Sequence, residues 1–239
     1  MILYTGKERS HMRLTADYHT HTVFSHGKGS VEDNVKAAIE AGLSAVGITD
    51  HSIAHPFYGV KKRKVAEYIE EIERIKREYE NEIEVKSGLE LNLIGLDGSV
   101  DKPEGYDFDI LIAGYHKGAL CKDLRTMWKF MTKRDVRRIT EAYMLALQKG
   151  NIDIVSHPGY GVPVDYEMLA KACSDYGTLF EINNKHTDLR AEDISGLDVK
   201  FVVSSDAHSP EKVGRAENAL KLVESSGLDI NKIKNVGER

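Results

Sequence analysis

Short runs rich in Val, Ile, Leu and Phe alternate along this chain with stretches in which apolar residues recur every three or four positions. The runs cover 13–18, 44–49, 83–91, 108–115, 152–156, 178–183 and 200–204. Most are near-continuously apolar, as expected of parallel strands buried on both faces. Between them lie helical stripes. Val31, Val35, Ala38 and Ile39 share a face behind a Ser30–Asp33 capping box, and Gly42 ends that stretch. Val65, Tyr68, Ile69, Ile72, Ile75 and Tyr79 form a second stripe, and Val136, Ile139, Tyr143 and Leu147 a third, closed by Gly150. Two further helices are predicted over 165–176 and 210–225. The stripes read as core and their Lys/Arg/Glu faces as solvated. Residues 95–106 and 117–131 follow neither period and are predicted to hold extra strands or loops of a site.

Seven strands alternating with helices predict an α/β fold closed, or nearly closed, into a barrel. A doubly wound sheet is the alternative, but no glycine fingerprint follows the first strand. A chain of 239 residues without repeats or Pro/Ser-rich linkers reads as a single domain over 12–239. Residues 1–11 read as a short polar leader, with Met12 as an alternative start. Apolar residues at 41% and charged residues at 30% exclude a disordered or fibrous chain. The two cysteines, Cys121 and Cys173, stand far apart, which fits a reducing cytoplasmic setting. No apolar run is long enough to cross a bilayer, and no secretory h-region opens the chain. The net charge of −5, with histidine neutral, argues against a broad grip on nucleic acid. Bound metal ions fall outside that sum and could make one site positive.

Ten histidines, against six Phe and one Trp, change the picture. The first predicted strand ends in Asp17-Tyr-His19-Thr-His21, with His26 shortly after. Later strands end in Asp50-His51, Gly-Leu-Glu90, Tyr-His116, Ser-His157-Pro and Ser-Asp206-Ala-His208. Seven of the ten histidines, with Glu90 and Asp206, therefore sit at the carboxyl edge of the strands, where β/α barrels build their sites. In extended chain, residues i and i+2 point the same way. His19 can thus face one ion together with His21, and Asp206 together with His208. Imidazole and carboxylate suit zinc, iron or manganese. Nine ligand candidates exceed the need of one ion and match two or three with shared ligands. Any one of these residues alone is weak evidence; their joint placement carries the reading. His11 reads as tail, and His55 and His186 as loop residues near substrate.

These motifs, in this order, resemble the PHP (polymerase and histidinol phosphatase) family, in its stand-alone, histidinol-phosphatase-like branch. The resemblance runs from about Arg13 to the end of the chain and takes in Phe180-Glu-Ile-Asn-Asn184 and Val213-Gly-Arg215. It implies a distorted, TIM-like (β/α)7 barrel with three divalent metal ions, zinc first, with manganese or iron as alternatives. It assigns His19, His21, Glu90 and Asp206 to the first ion. Glu90, His116 and His157 go to the second, and His26, His51 and His208 to the third.

Two carboxylates among neutral histidines carry a formal −2, so three divalent ions would leave the site strongly positive and open to an anion. This predicts hydrolysis of a small phosphate monoester by a metal-bridging hydroxide. Asp206, Glu90 and His208 are the candidate catalytic residues, with Asp206 also relaying a proton. Asp17 and Asp50 either orient ligands or merely bond strand ends. Candidate phosphate contacts are Lys117, Arg215, Lys185 and Arg190, with Lys28. The alternative is a phosphodiesterase or exonuclease, for which Tyr58 and Lys61–Lys64 offer a small basic patch that a helix start equally explains. A non-enzymatic metal binder and an amidohydrolase rank lower; the latter lacks an evident carboxylated-lysine motif. The oligomeric state is not predicted.

Overall fold

The structure, a computed structural model, describes residues 12–186 and 188–238; the expected leader, with His11, lies outside them. Nine strands are described: β1 (Met12–Leu14), β2 (Ala16–Thr20), β3 (Ala45–Ile48), β4 (Glu84–Asn92), β5 (Ile110–Gly114), β6 (Ile154–Val155), β7 (Leu179–Asn183), β8 (Phe201–Ser204) and β9 (Val236–Glu238). Strands β2 to β8 pair in sequence order, all parallel, and correspond to the seven predicted runs. β1 and β9 form a separate antiparallel pair.

The seven-stranded sheet curls into a nearly closed barrel. At the seam between β2 and β8 the only ladder is a single bridge, Thr20 opposite Ala207, with His21 N–H donating to Ala207 O at 2.8 Å. Side chains complete the closure. The Asn235 amide donates to Ala16 O and Val203 O, both at 2.7 Å, and accepts from Val203 N–H at 2.9 Å. Asp17 accepts from Ser205 N–H and Oγ–H and from Gly214 N–H.

Among the described residues seven helices surround the sheet: α1 (Val31–Glu40), α2 (Val65–Glu78), α3 (Leu124–Thr132), α4 (Val136–Lys149), α5 (Tyr166–Tyr176), α6 (Ala191–Ser195) and α7 (Glu217–Ser226). The Ser30 capping box is present, with Asp33 completing it. The basic patch at 62–64 is a 3₁₀ turn leading into α2. The single helix expected over 210–225 is instead a 3₁₀ turn, Pro210–Lys212, followed by α7. Gly214 breaks it: its φ is +74° and its N–H is taken by Asp17. α3 lies inside the segment that showed no period. It turns Thr126 and Phe130 inward but leaves Leu124, Met127, Trp128 and Met131 exposed, so apolar residues lie on opposite sides. Residues 95–106 hold no strand beyond one antiparallel bridge, Leu93 with Val100.

One large apolar core fills the space between sheet and helices. A smaller cluster of Ile110, Ile112, Ile154 and Val202, against Tyr18 and Leu179, plugs the barrel. The alternation of inward positions places the acids and histidines above that plug.

Candidate metal centre

Glu90 is the hub. It stands on the inward face of β4, fully buried. Its Oε1 lies 3.3 Å from His19 Nε2, 3.0 Å from His116 Nε2 and 2.9 Å from His157 Nε2. Its Oε2 lies 2.8 Å from His51 Nδ1 and 3.7 Å from His21 Nε2. Five imidazoles from four strand ends thus converge on one carboxylate. Asp206, beyond β8, supplies a second focus, with Oδ1 at 3.2 Å from His21 Nε2 and 3.3 Å from His208 Nδ1. His19 and His21, two positions apart at the end of β2, both turn to the interior; the pairing of β2 with β3 shifts register between Asp17 and Thr20. His26 is more exposed, packing its ring on His208, His51 and Tyr58 at centroid separations of 4.2, 4.9 and 4.5 Å.

All nine candidate ligands are therefore neighbours. Three groups hold ligand atoms within 4.8 Å of one another: His19, His21 and Asp206; His51, Glu90 and His116; His21, His51 and His208. The groups share His21 and His51, so they gather the residues without dividing them among ions.

The donor set fits cations. His19 Nε2, both ring nitrogens of His21, His51 Nδ1, His116 Nε2, Glu90 Oε2 and Asp206 Oδ1 are buried and make no hydrogen bond. So many orphaned polar atoms in one place are costly unless something positive satisfies them. Burial penalises the charge on Glu90 and Asp206, yet the surrounding histidines outweigh it and hold both well below the usual carboxylate range. Burial, reinforced by the neighbouring rings, holds His21 far below the ordinary imidazole value, His51 at about 4 and His26 at about 3. Their lone pairs are free at neutral pH. His19 goes the other way: the acids Glu90, Glu181 and Asp206 overcome burial and raise it well above 6.5.

The remaining expected residues separate. Lys185 reaches the cluster, with Nζ 3.0 Å from His208 Nδ1. Lys28 touches it through its N–H on His208 O at 2.9 Å. Lys117 is exposed, and its carbonyl lies 3.2 Å from His55 Nε2. Arg190 is tied to Asp193 and Glu192 at the start of α6. Arg215 is exposed and lines a groove between α1 and α7, with its guanidinium 3.9 Å from Glu217; among the described residues no contact brings it to the histidines. His186 lies 4.0 Å from Asp206 and stacks on Tyr160, while His55 stacks on Tyr58. Asp50 accepts from the N–H and hydroxyl groups of Thr22 and Ser25. Asp50 and Asp17 thus bond loop backbones and hydroxyls, not rings.

Three residues with no role in the sequence reading surround the ligands. Asn92 Oδ1 accepts from His116 Nδ1–H at 2.9 Å, and Asp101 fixes that amide. Glu181 sits buried behind His19. Polar residues at alternate positions of an otherwise apolar strand, 181 and 183, were the available signal.

A family model described as "PHP domain" matches residues 17–191. A "Probable phosphatase" of Thermoanaerobacter sp. (strain X514) is 32% identical over 251 residues, covering 93% of this chain and 94% of that protein. A "Probable phosphatase" of Acetivibrio thermocellus is 28% identical, covering 94% of this chain and 92% of that protein. The fold is similar to that of histidinol phosphate phosphatase from Lactococcus lactis, whose crystal structure is complexed with Zn, L-histidinol and phosphate. The TM-score is 0.63 at 18% identity, over 90% of this chain and 94% of that one.

Proposed function

Because the chain belongs to the PHP domain family, we propose that it is a metal-dependent phosphomonoesterase acting on a small phosphorylated substrate at a site for three divalent cations. The observation that carries this reading is the convergence of buried, unbonded imidazole and carboxylate atoms on Glu90 and Asp206. Zinc is the first choice of ion, and manganese or iron the alternatives.

His19, His21, Glu90 and Asp206 would hold one ion, Glu90, His116 and His157 a second, and His26, His51 and His208 a third. Bound there, such cations supply an ionised water at neutral pH and neutralise phosphoryl oxygens. The protein's own groups do the rest. Glu90 stands between the first two sets and keeps them close. Asp206 faces His21 through Oδ1; its Oδ2, which accepts from Asn183 Nδ2–H at 3.3 Å and lies 4.0 Å from His186 Nε2, would hold a proton in transit. His208 places its ring beside Lys185, whose ammonium is the cation best placed to receive a phosphate oxygen. Lys117 lies further out; Arg190 and Arg215 would need to leave their present surroundings to reach a substrate.

His19→Ala and Asp206→Ala are each expected to abolish turnover of a generic aryl phosphate while the circular dichroism spectrum is retained. Wild-type-like turnover by either variant ends this assignment. Elemental analysis of the purified protein, followed by a panel of phosphate esters, identifies the ion and the ester class.

A further inference from the structure

Six of the seven barrel strands deliver a candidate ligand at the carboxyl edge: His19 and His21 from β2, His51 from β3, Glu90 from β4, His116 from β5, His157 from β6, Asp206 and His208 from β8. β7 delivers none. Its inward face nevertheless carries two buried polar residues, Glu181 and Asn183, at 0% exposure. We propose that this pair is a positioning platform that sets His19, His157 and Asp206 for the cations without ligating one itself. The proposal rests on the metal-site reading above but not on the identity of the reaction.

The platform bonds to three ligand-bearing segments. Glu181 Oε1 lies 2.7 Å from His19 Nδ1. An ionised carboxylate only accepts, so Nδ1 donates. That leaves Nε2 as the nitrogen open to a cation, and it faces Glu90 and Asp206 at 3.3 and 3.9 Å. Glu181 Oε2 accepts the His157 N–H at 2.5 Å and the Asn183 Nδ2–H at 3.0 Å. The first of these replaces a missing ladder. Pairing between β6 and β7 stops at Val155 and Phe180, and His157 stands beyond it with φ at +29°. A non-glycine residue keeps such a backbone only when neighbours hold it. The Asn183 amide also donates to Asp206 Oδ2 at 3.3 Å. Its Oδ1 accepts from the N–H groups of Lys185 and His186 at 2.8 and 2.7 Å. One side-chain pair thus links β2 with the segments that follow β6, β7 and β8. Partners behind a metal-bound imidazole fix its tautomer and ring direction, and losing them typically costs about 10–100-fold in metal affinity.

Apo protein titrated with Zn²⁺ against a chromophoric chelator tests this, with wild type, Glu181→Gln and Asn183→Ala compared. Glutamine turns an NH₂ toward a donor that the carboxylate had accepted from. Glu181→Gln is expected to weaken at least one Zn²⁺ by about 10–100-fold, with the full wild-type stoichiometry returning at saturating zinc. Asn183→Ala is expected to lose affinity in the same direction and by less. In ¹H–¹⁵N spectra of the zinc-loaded protein, a slowly exchanging His19 Nδ1–H is expected in wild type and its loss in Glu181→Gln. An unchanged affinity overturns the proposal. So does an ion that folded Glu181→Gln cannot regain in excess zinc, since that makes Glu181 a ligand. If Glu181→Gln does not fold, unchanged affinity in Asn183→Ala overturns it equally. Zinc binding with these shifts, but no hydrolysis of any phosphate ester, sinks the functional reading and leaves the platform standing.

Discussion

A methyl group at Gly114, the last residue of β5, would stand 2.3 Å from Ser156 Oγ and 2.9 Å from His157 Cε1. Glycine is there because the Ser156 hydroxyl and the His157 ring lie close over the backbone. Gly114→Ala is expected to displace that ring and cost about 1–3 kcal/mol of stability, read as a lowered denaturation midpoint together with a lower zinc stoichiometry. Protonation acts at the same scale. In the metal-free protein, burial holds His51 and His186 neutral down to about 4, whereas the unfolded chain protonates near 6.5. The unfolded state then binds more protons, so these residues stabilise the fold above 6.5 and lose that contribution as pH falls toward 4. His19 and His157 are raised, by carboxylates that outweigh burial. Their contribution is full below 6.5 and is lost as pH rises through the folded value. Urea unfolding of apo protein is therefore expected to show greatest stability near pH 6.5; a curve flat from pH 4 to 8 contradicts it.

The weakest element contact of the barrel is its seam. β2 and β8 share one bridge, and Asp17 and Asn235 supply what a ladder would have supplied. Asp17→Ala would leave the buried N–H of Ser205 and that of Gly214 without their acceptor. At about 1–3 kcal/mol for each unsatisfied group, a loss of several kcal/mol is expected in urea unfolding, with Asp206 and His208 loosened because they follow Ser205. A loss below 1 kcal/mol would show that the seam is held elsewhere. The helices are unevenly legible in the sequence, for a reason visible in α3 and α7. Periodicity reports an element that buries one face. α3 exposes Trp128 and Met131 opposite buried Phe130, and α7 follows a break set by a carboxylate from β2, remote in sequence.

On the scale of the whole molecule, an acidic protein of net charge −5 concentrates its histidines in one mouth. Cations bound only by the folded state stabilise it by mass action, by about 2.7 kcal/mol at a free concentration of 100 Kd. Dialysis against a chelator is expected to lower the melting temperature, and zinc or manganese to restore it. Ligands must lose their protons to bind, and the acids around His19 favour its protonated form in the metal-free protein. Zinc uptake at pH 7 should therefore release protons, measurable in weakly buffered solution. A melting temperature indifferent to chelator and to added metal contradicts an intact site.

What the sequence by itself determined was local: which runs are strands, that they alternate with helices, and that His19, His21, His51, Glu90, His116, His157, Asp206 and His208 end them. Strand period and strand order are enough for that, because a parallel barrel brings every carboxyl edge to one mouth. The tertiary structure alone decided what depends on contacts across the chain. Glu181 meets His19 over 162 positions, and Asp17 meets Ser205 over 188. It set Lys185 against His208 and left Arg215 in a groove between helices. A residue's own neighbours in sequence fix its face of a strand, but the partner that face meets is set by how the barrel closes.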